Sequence, residues 1–111
     1  MPRDSALELI AGFGDFVTSS PTSYHAVAEM AAQLTSAGFT ALDEKTAWDD
    51  VAGAHFVVRD GALIAWLTPD SVDDQTGFRI VGSHTDSPAF KLKPNPVRTV
   101  EGWQQFGAEV Y

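Results

Sequence analysis

Two residues set one apart, His84 and Asp86, lie in the stretch Gly82-Ser83-His84-Thr85-Asp86-Ser87-Pro88, directly after the apolar run Phe78-Arg79-Ile80-Val81. Side chains alternate along a strand, so positions 84 and 86 share a face while Thr85 points away. If the strand persists to Asp86, its carboxylate reaches one imidazole nitrogen and leaves the other facing outward. That pairing fixes the imidazole tautomer and raises its basicity, as in carboxylate–histidine–zinc arrangements. The place also suits a site, because ligands in open α/β sheets gather beyond the C-terminal ends of strands. A plainer alternative remains: an aspartate capping the following turn, beside an exposed loop histidine.

Other chemistry on offer is weaker. Ser83, His84 and Asp86 supply the residue types of a nucleophilic triad. Adjacent side chains on a strand diverge, however, so Ser83 and His84 form no nucleophile–base pair. A catalytic zinc takes three protein ligands, and a two-metal site takes more. The remaining histidines are His25, read as a structural residue of a capped helix, and His55, at the start of a hairpin and equally suited to a surface strand position. Obvious ligands therefore do not complete a metal site within this sequence. With no cysteine, thiolate ligands and disulfides are excluded.

The 111 residues amount to one domain at most, able to bury roughly two-thirds of the unfolded surface. A formal net charge of -8 opposes binding to nucleic acid or to an anionic membrane. Lys91, Lys93 and Arg98 are three of the seven basic residues, and no acid lies between Ser87 and Val100. They read as a solvated strand face or, more sharply, as an anion-contacting edge. The N-terminus carries Asp4 and Glu8 where a signal peptide needs an apolar core, and no run approaches the roughly 18 apolar residues of a membrane span. A cytoplasmic location is expected.

The elements that must position the motif follow from periodicity and punctuation. Ser5 and Glu8 form an S-x-x-E capping box, predicting a helix from near residue 5 through Leu9, Phe13, Phe16 and Val17. Gly12 and Gly14 weaken it by about 1 kcal/mol each. A second helix is predicted over residues 22–37. Ser20 serves as its cap, Pro21 as its first position, Gly38 as its left-handed stop, and Val27, Met30, Ala31 and Leu34 as a buried stripe. Residues 55–59 and 62–67 predict two strands joined by the Asp60-Gly61 turn. After the polar loop 68–77, a third strand is expected over 78–83. Residues 92–100 look extended but broken by Pro94 and Pro96, and a further strand begins within 104–111. The pattern ends without a closing turn and reads as cut. The fold class is α/β with a mixed sheet.

At these residues a family resemblance becomes specific. IVGSHTDSPAFKLKP is similar to the first metal motif of the M18 family of zinc aminopeptidases, the aspartyl aminopeptidase family. FVTSSPTSYHAVAEMAAQLTSAGFTALDE resembles that family's N-terminal segment, and Trp48 and the FVVRDGALIAW hairpin fit as well. The likeness spans essentially all 111 residues. It implies the N-terminal part of a zinc-exopeptidase-like α/β sandwich, from a cytoplasmic homo-oligomer that uses two zinc ions to remove N-terminal residues from peptides. In many members those residues are Asp or Glu. His84 matches the family's first metal-ligand histidine. Asp86 matches the catalytic-site aspartate that orients it. Family members run to several hundred residues, so the bridging aspartate, the paired glutamates, a later acidic ligand, the final histidine and an inserted domain are expected beyond Tyr111. Residues 1–111 would then be inactive alone. The alternative is a non-catalytic α/β fragment that only folds or associates.

Overall fold

The computed structural model describes residues 3–48 and 52–110. Helix α1 (Arg3–Ser19) begins two residues before the capping-box position, within ordinary end variation. It closes with the Ser20 amide donating to the Val17 carbonyl at 3.2 Å. Ser20 therefore ends α1 and does not open the next helix.

That role falls to Thr22, the N-cap of α2 (Ser23–Ser36), and Pro21 stays outside the helix. Thr22 is extended, with φ -139° and ψ 164°, and its hydroxyl accepts the His25 amide, the last of the four orphan N–H groups at the helix start. At the other end, Gly38 takes φ +89°. Its amide donates to the Thr35 carbonyl at 3.0 Å, and the Phe39 amide to the Leu34 carbonyl at 2.9 Å, the two bonds of a Schellman stop. Within the predicted stripe Val27 is fully buried, while Met30, Ala31 and Leu34 are half-buried.

After this stop the chain enters a mixed sheet of order β1-β2-β3. The short β1 (Thr40–Ala41) runs parallel to β2 (Gly53–Arg59), and β2 runs antiparallel to β3 (Ala62–Thr68). The Asp60-Gly61 turn joins β2 and β3 as expected, with Asp60 at φ +51°. Helix α2 lies on one sheet face, where Met30 and Leu34 border a groove with Leu63 and Ala65. Phe56, paired with Ala65, shares that face by alternation, and Val57 lies on the opposite one. Ala26, Val27, Phe56 and Val57 form the buried core.

Residues 78–83 do not form the expected strand. Phe78, Ile80 and Val81 are 94%, 86% and 97% exposed, and the run has no ladder among the described residues. The physical reason is that strand preference is mostly packing on neighbours, and among the described residues no element covers this run. The chain then forms a two-stranded antiparallel ribbon, β4 (Phe90–Val100) and β5 (Trp103–Val110). Pro94 and Pro96 do not end β4. They sit in a register irregularity between Leu92 and Val97, where a missing N–H costs no ladder bond. Glu101 and Gly102, at φ +48° and +81°, make the tight turn. Strand β5 starts one residue before the expected range, and Tyr111, its expected end, lies outside the described residues.

Candidate metal motif and its anchoring loop

His84 and Asp86 meet, although not on a strand. The chain bends at Thr85, and the Nδ1–H of His84 donates to the Asp86 carboxylate at 3.0 Å and to the Asp86 backbone carbonyl at 2.6 Å. Both partners are acceptors only, so Nδ1 carries the proton. Nε2 is then the basic nitrogen, with its lone pair unpartnered among the described residues. The two side chains are 76% and 70% exposed, so this lone pair is presented to solvent.

Thr85 turns instead toward the β2–β3 turn. Its hydroxyl donates to the Gly61 carbonyl at 2.6 Å, in the β2–β3 turn. Gly61 in turn lies under the start of α2: a Cβ there would sit 2.8 Å from the Ser23 hydroxyl oxygen and 3.2 Å from its Cβ. A cleft opens beside this junction, lined by Ser20 to Tyr24 on one side and by Thr85 to Ser87 and Ala89 to Lys91 on the other.

The other histidines stay apart. His25 is exposed, its Nδ1 lying 2.8 Å from the Thr22 hydroxyl at the helix cap. His55 is half-buried, its Nε2–H donating to the Ala52 carbonyl at 2.8 Å and its ring 6.0 Å from that of Trp66. Among the described residues no three His, Asp or Glu side chains gather as a metal set. Ser83 is exposed beside His84 and makes no hydrogen bond to it. Lys93 and Arg98 converge over Gly107 on one ribbon face, and Lys91 stands opposite Glu109 in the register. Sequence reasoning missed Gly61 and Ser23 as parts of the motif's surroundings. The expectation that Thr85 faces away from His84 and Asp86 was the signal pointing toward them, although it rested on a strand that does not form.

The family model for Aminopeptidase I zinc metalloprotease (M18) matches residues 16–111, a span that contains the whole motif and its anchor. The chain belongs to the M18 family. Among M18 relatives, "Probable M18 family aminopeptidase 2" of Streptomyces avermitilis is 49% identical over 96 residues, covering 86% of this chain and 22% of the relative. The protein of the same name from Pseudomonas paraeruginosa is 44% identical over 106 residues, covering 94% and 25%. The crystal structure of yeast aminopeptidase 1 superposes with a TM-score of 0.80 at 31% identity, covering 94% of this chain and 25% of that one. The S. cerevisiae mApe1 dodecamer gives the same TM-score and identity, covering 93% and 25%. The chain thus spans a quarter or less of the length of these M18 proteins.

Proposed function

We propose that these 111 residues are the N-terminal portion of the catalytic domain of a zinc-dependent aminopeptidase, with the rest of that domain and an inserted domain supplied by further polypeptide. Membership of the M18 family supports this reading, and one observation carries it. Asp86 engages Nδ1 of His84 and leaves Nε2 basic and exposed. A neutral imidazole held in that tautomer is the form that ligates zinc, so His84 fits as one ligand and Asp86 as the carboxylate that orients it. A pair of zinc ions, when bound, supplies Lewis acidity toward the scissile carbonyl and a lowered water pKa.

The chain's own residues do the holding. Asp86 keeps the Nδ1 proton in place and fixes the ring plane, and His84 offers the Nε2 lone pair at a constant position. The general base and the other ligands are assigned to residues outside this stretch. The proposed substrates are peptides with a free N-terminus, Asp or Glu at that position being the preference implied by the family resemblance. A homo-oligomer is proposed from the dodecamer of yeast aminopeptidase 1. Nucleic acid and membrane are not proposed as partners, given the charge of -8; a cytoplasmic location goes with this reading. No helix among the described residues is long and apolar enough to cross a membrane.

For residues 1–111 alone, a second reading is a non-catalytic association module, favoured by the apolar, exposed face of the β4–β5 ribbon. The deciding experiment is His84→Ala in the full-length enzyme, with zinc counted per chain and hydrolysis of peptides carrying N-terminal Asp, Glu or Leu. Zinc content and turnover should both fall. Wild-type values for both would remove His84 from the site.

A further inference from the structure

Every residue from 69 to 92 is exposed except one, Thr85. Among the described residues, its bond to the Gly61 carbonyl at 2.6 Å is also the one hydrogen bond from the stretch 69–89 to any residue outside it. The other bonds of that stretch are internal: Asp73 with Gln75 and Thr76, and His84 with Asp86. We propose that Thr85 is the positioning residue of the His84–Asp86 pair, its hydroxyl pinning the motif to the β2–β3 turn.

The argument is geometric. Thr85 lies one residue from each member of the pair, so a shift of its backbone moves the imidazole and the carboxylate together. Its acceptor is well fixed. Gly61 sits in a two-residue turn closed by the Arg59–Ala62 register pair, and it lies so close to Ser23 that an added Cβ would force the Ser23 side chain to shift. The motif is thereby referenced to α2 and to the sheet at once. Without this bond, the path from Thr68 to Phe90 is a single long excursion tied to the α2–sheet body only at Thr68, and the motif within it samples a wide volume. A ligand that wanders loses metal affinity, and changes one step removed from a metal ligand typically cost about 10–100-fold.

The consequence for zinc rests on His84 being a ligand; the consequence for loop order does not. Three variants of the intact protein separate the two. Thr85→Val keeps the shape and removes the hydroxyl, Thr85→Ser keeps the hydroxyl and removes the methyl, and His84→Ala tests the ligand reading itself. In zinc-free protein, hydrogen–deuterium exchange of peptides spanning 82–88 should speed up about tenfold in Thr85→Val and stay at the wild-type rate in Thr85→Ser. Zinc, titrated against a chelator, should bind about tenfold more weakly to Thr85→Val and within about twofold of wild type to Thr85→Ser. Wild-type exchange in Thr85→Val overturns the proposal, as does equal loosening in both Thr85 variants, which would assign the anchor to the methyl group. If His84→Ala keeps its zinc, the ligand reading fails and the exchange rates alone decide the role of Thr85.

Discussion

The contact of His84 with Asp86 shows how little energy is needed to orient a side chain. Both are largely exposed, so their contact adds little to stability in water. Its effect is to choose a tautomer and a direction. Changing Asp86 should therefore differ in kind from changing His84. On the proposed function, Asp86→Asn in the longer protein keeps the shape but loses the charge that holds the Nδ1 proton. Turnover should fall about 10–100-fold while most of the zinc is retained, as metal analysis beside peptidase assays will show. A second residue-scale expectation concerns Asp73. The Thr76 hydroxyl, at 2.8 Å, and the Gln75 amide, at 3.0 Å, both donate to its carboxylate, and these bonds hold its pKa below the ordinary value. A depressed carboxylate stabilises its turn above the unfolded pKa of about 3.9 and loses that contribution as pH falls through the folded value. An NMR titration of Asp73 should give a midpoint below about 3.9. The Thr76 signals should move with it, and a midpoint at or above that value would contradict the turn geometry.

The elements divide into those that local chemistry dictates and those that it does not. Helix α2 is readable because Pro21 and Gly38 punctuate it and Val27 to Leu34 stripe it. The β2–β3 hairpin is readable because Asp60-Gly61 suits a two-residue turn. The cap shifts from Ser20 to Thr22 because both hydroxyls suit the role, and only the end of α1 decides between them. Residues 78–83 mislead because an apolar, β-rich run states a preference that only a neighbouring element satisfies. The ribbon is hidden by Pro94 and Pro96, which argue against a strand unless the bulge is known. In the motif, the spacing of His84 and Asp86 predicts their contact, whereas the acceptor of Thr85 lies 24 residues away and is set by tertiary structure. Two substitutions test the elements. Gly61→Ala crowds Ser23 and should lower stability by about 1–3 kcal/mol, with part of the loss recovered when Ser23→Gly is added. Glu101→Asn replaces a residue at φ +48° with one that tolerates the left-handed region, and it should stabilise the β4–β5 turn by a few tenths of a kcal/mol or more in thermal melts.

On the scale of the whole molecule, the structure is open. Its radius of gyration is 19.9 Å, against about 13 Å for a compact chain of this length. The ribbon accounts for much of this, since it packs on no other helix or strand among the described residues. One face of it, by register, carries Phe90 and Val110, Leu92 and Ala108, and Val97 and Phe106, and the large side chains there are exposed. Purified residues 1–111 should therefore associate as concentration rises, and Phe106→Lys should suppress this in sedimentation velocity. The ribbon's two edges are not equivalent. Along β4, the prolines at 94 and 96 remove two donors from any incoming ladder, and the irregularity at 92–97 turns the edge off a straight line. Along β5, Trp103 to Val110 contains no proline. Of the two edges β5 is therefore the one suited to receive a further strand, whether from a second copy or from further polypeptide of the same domain. The prolines blunt β4 as natural sheets blunt an edge, so any strand added to this ribbon enters on the β5 side.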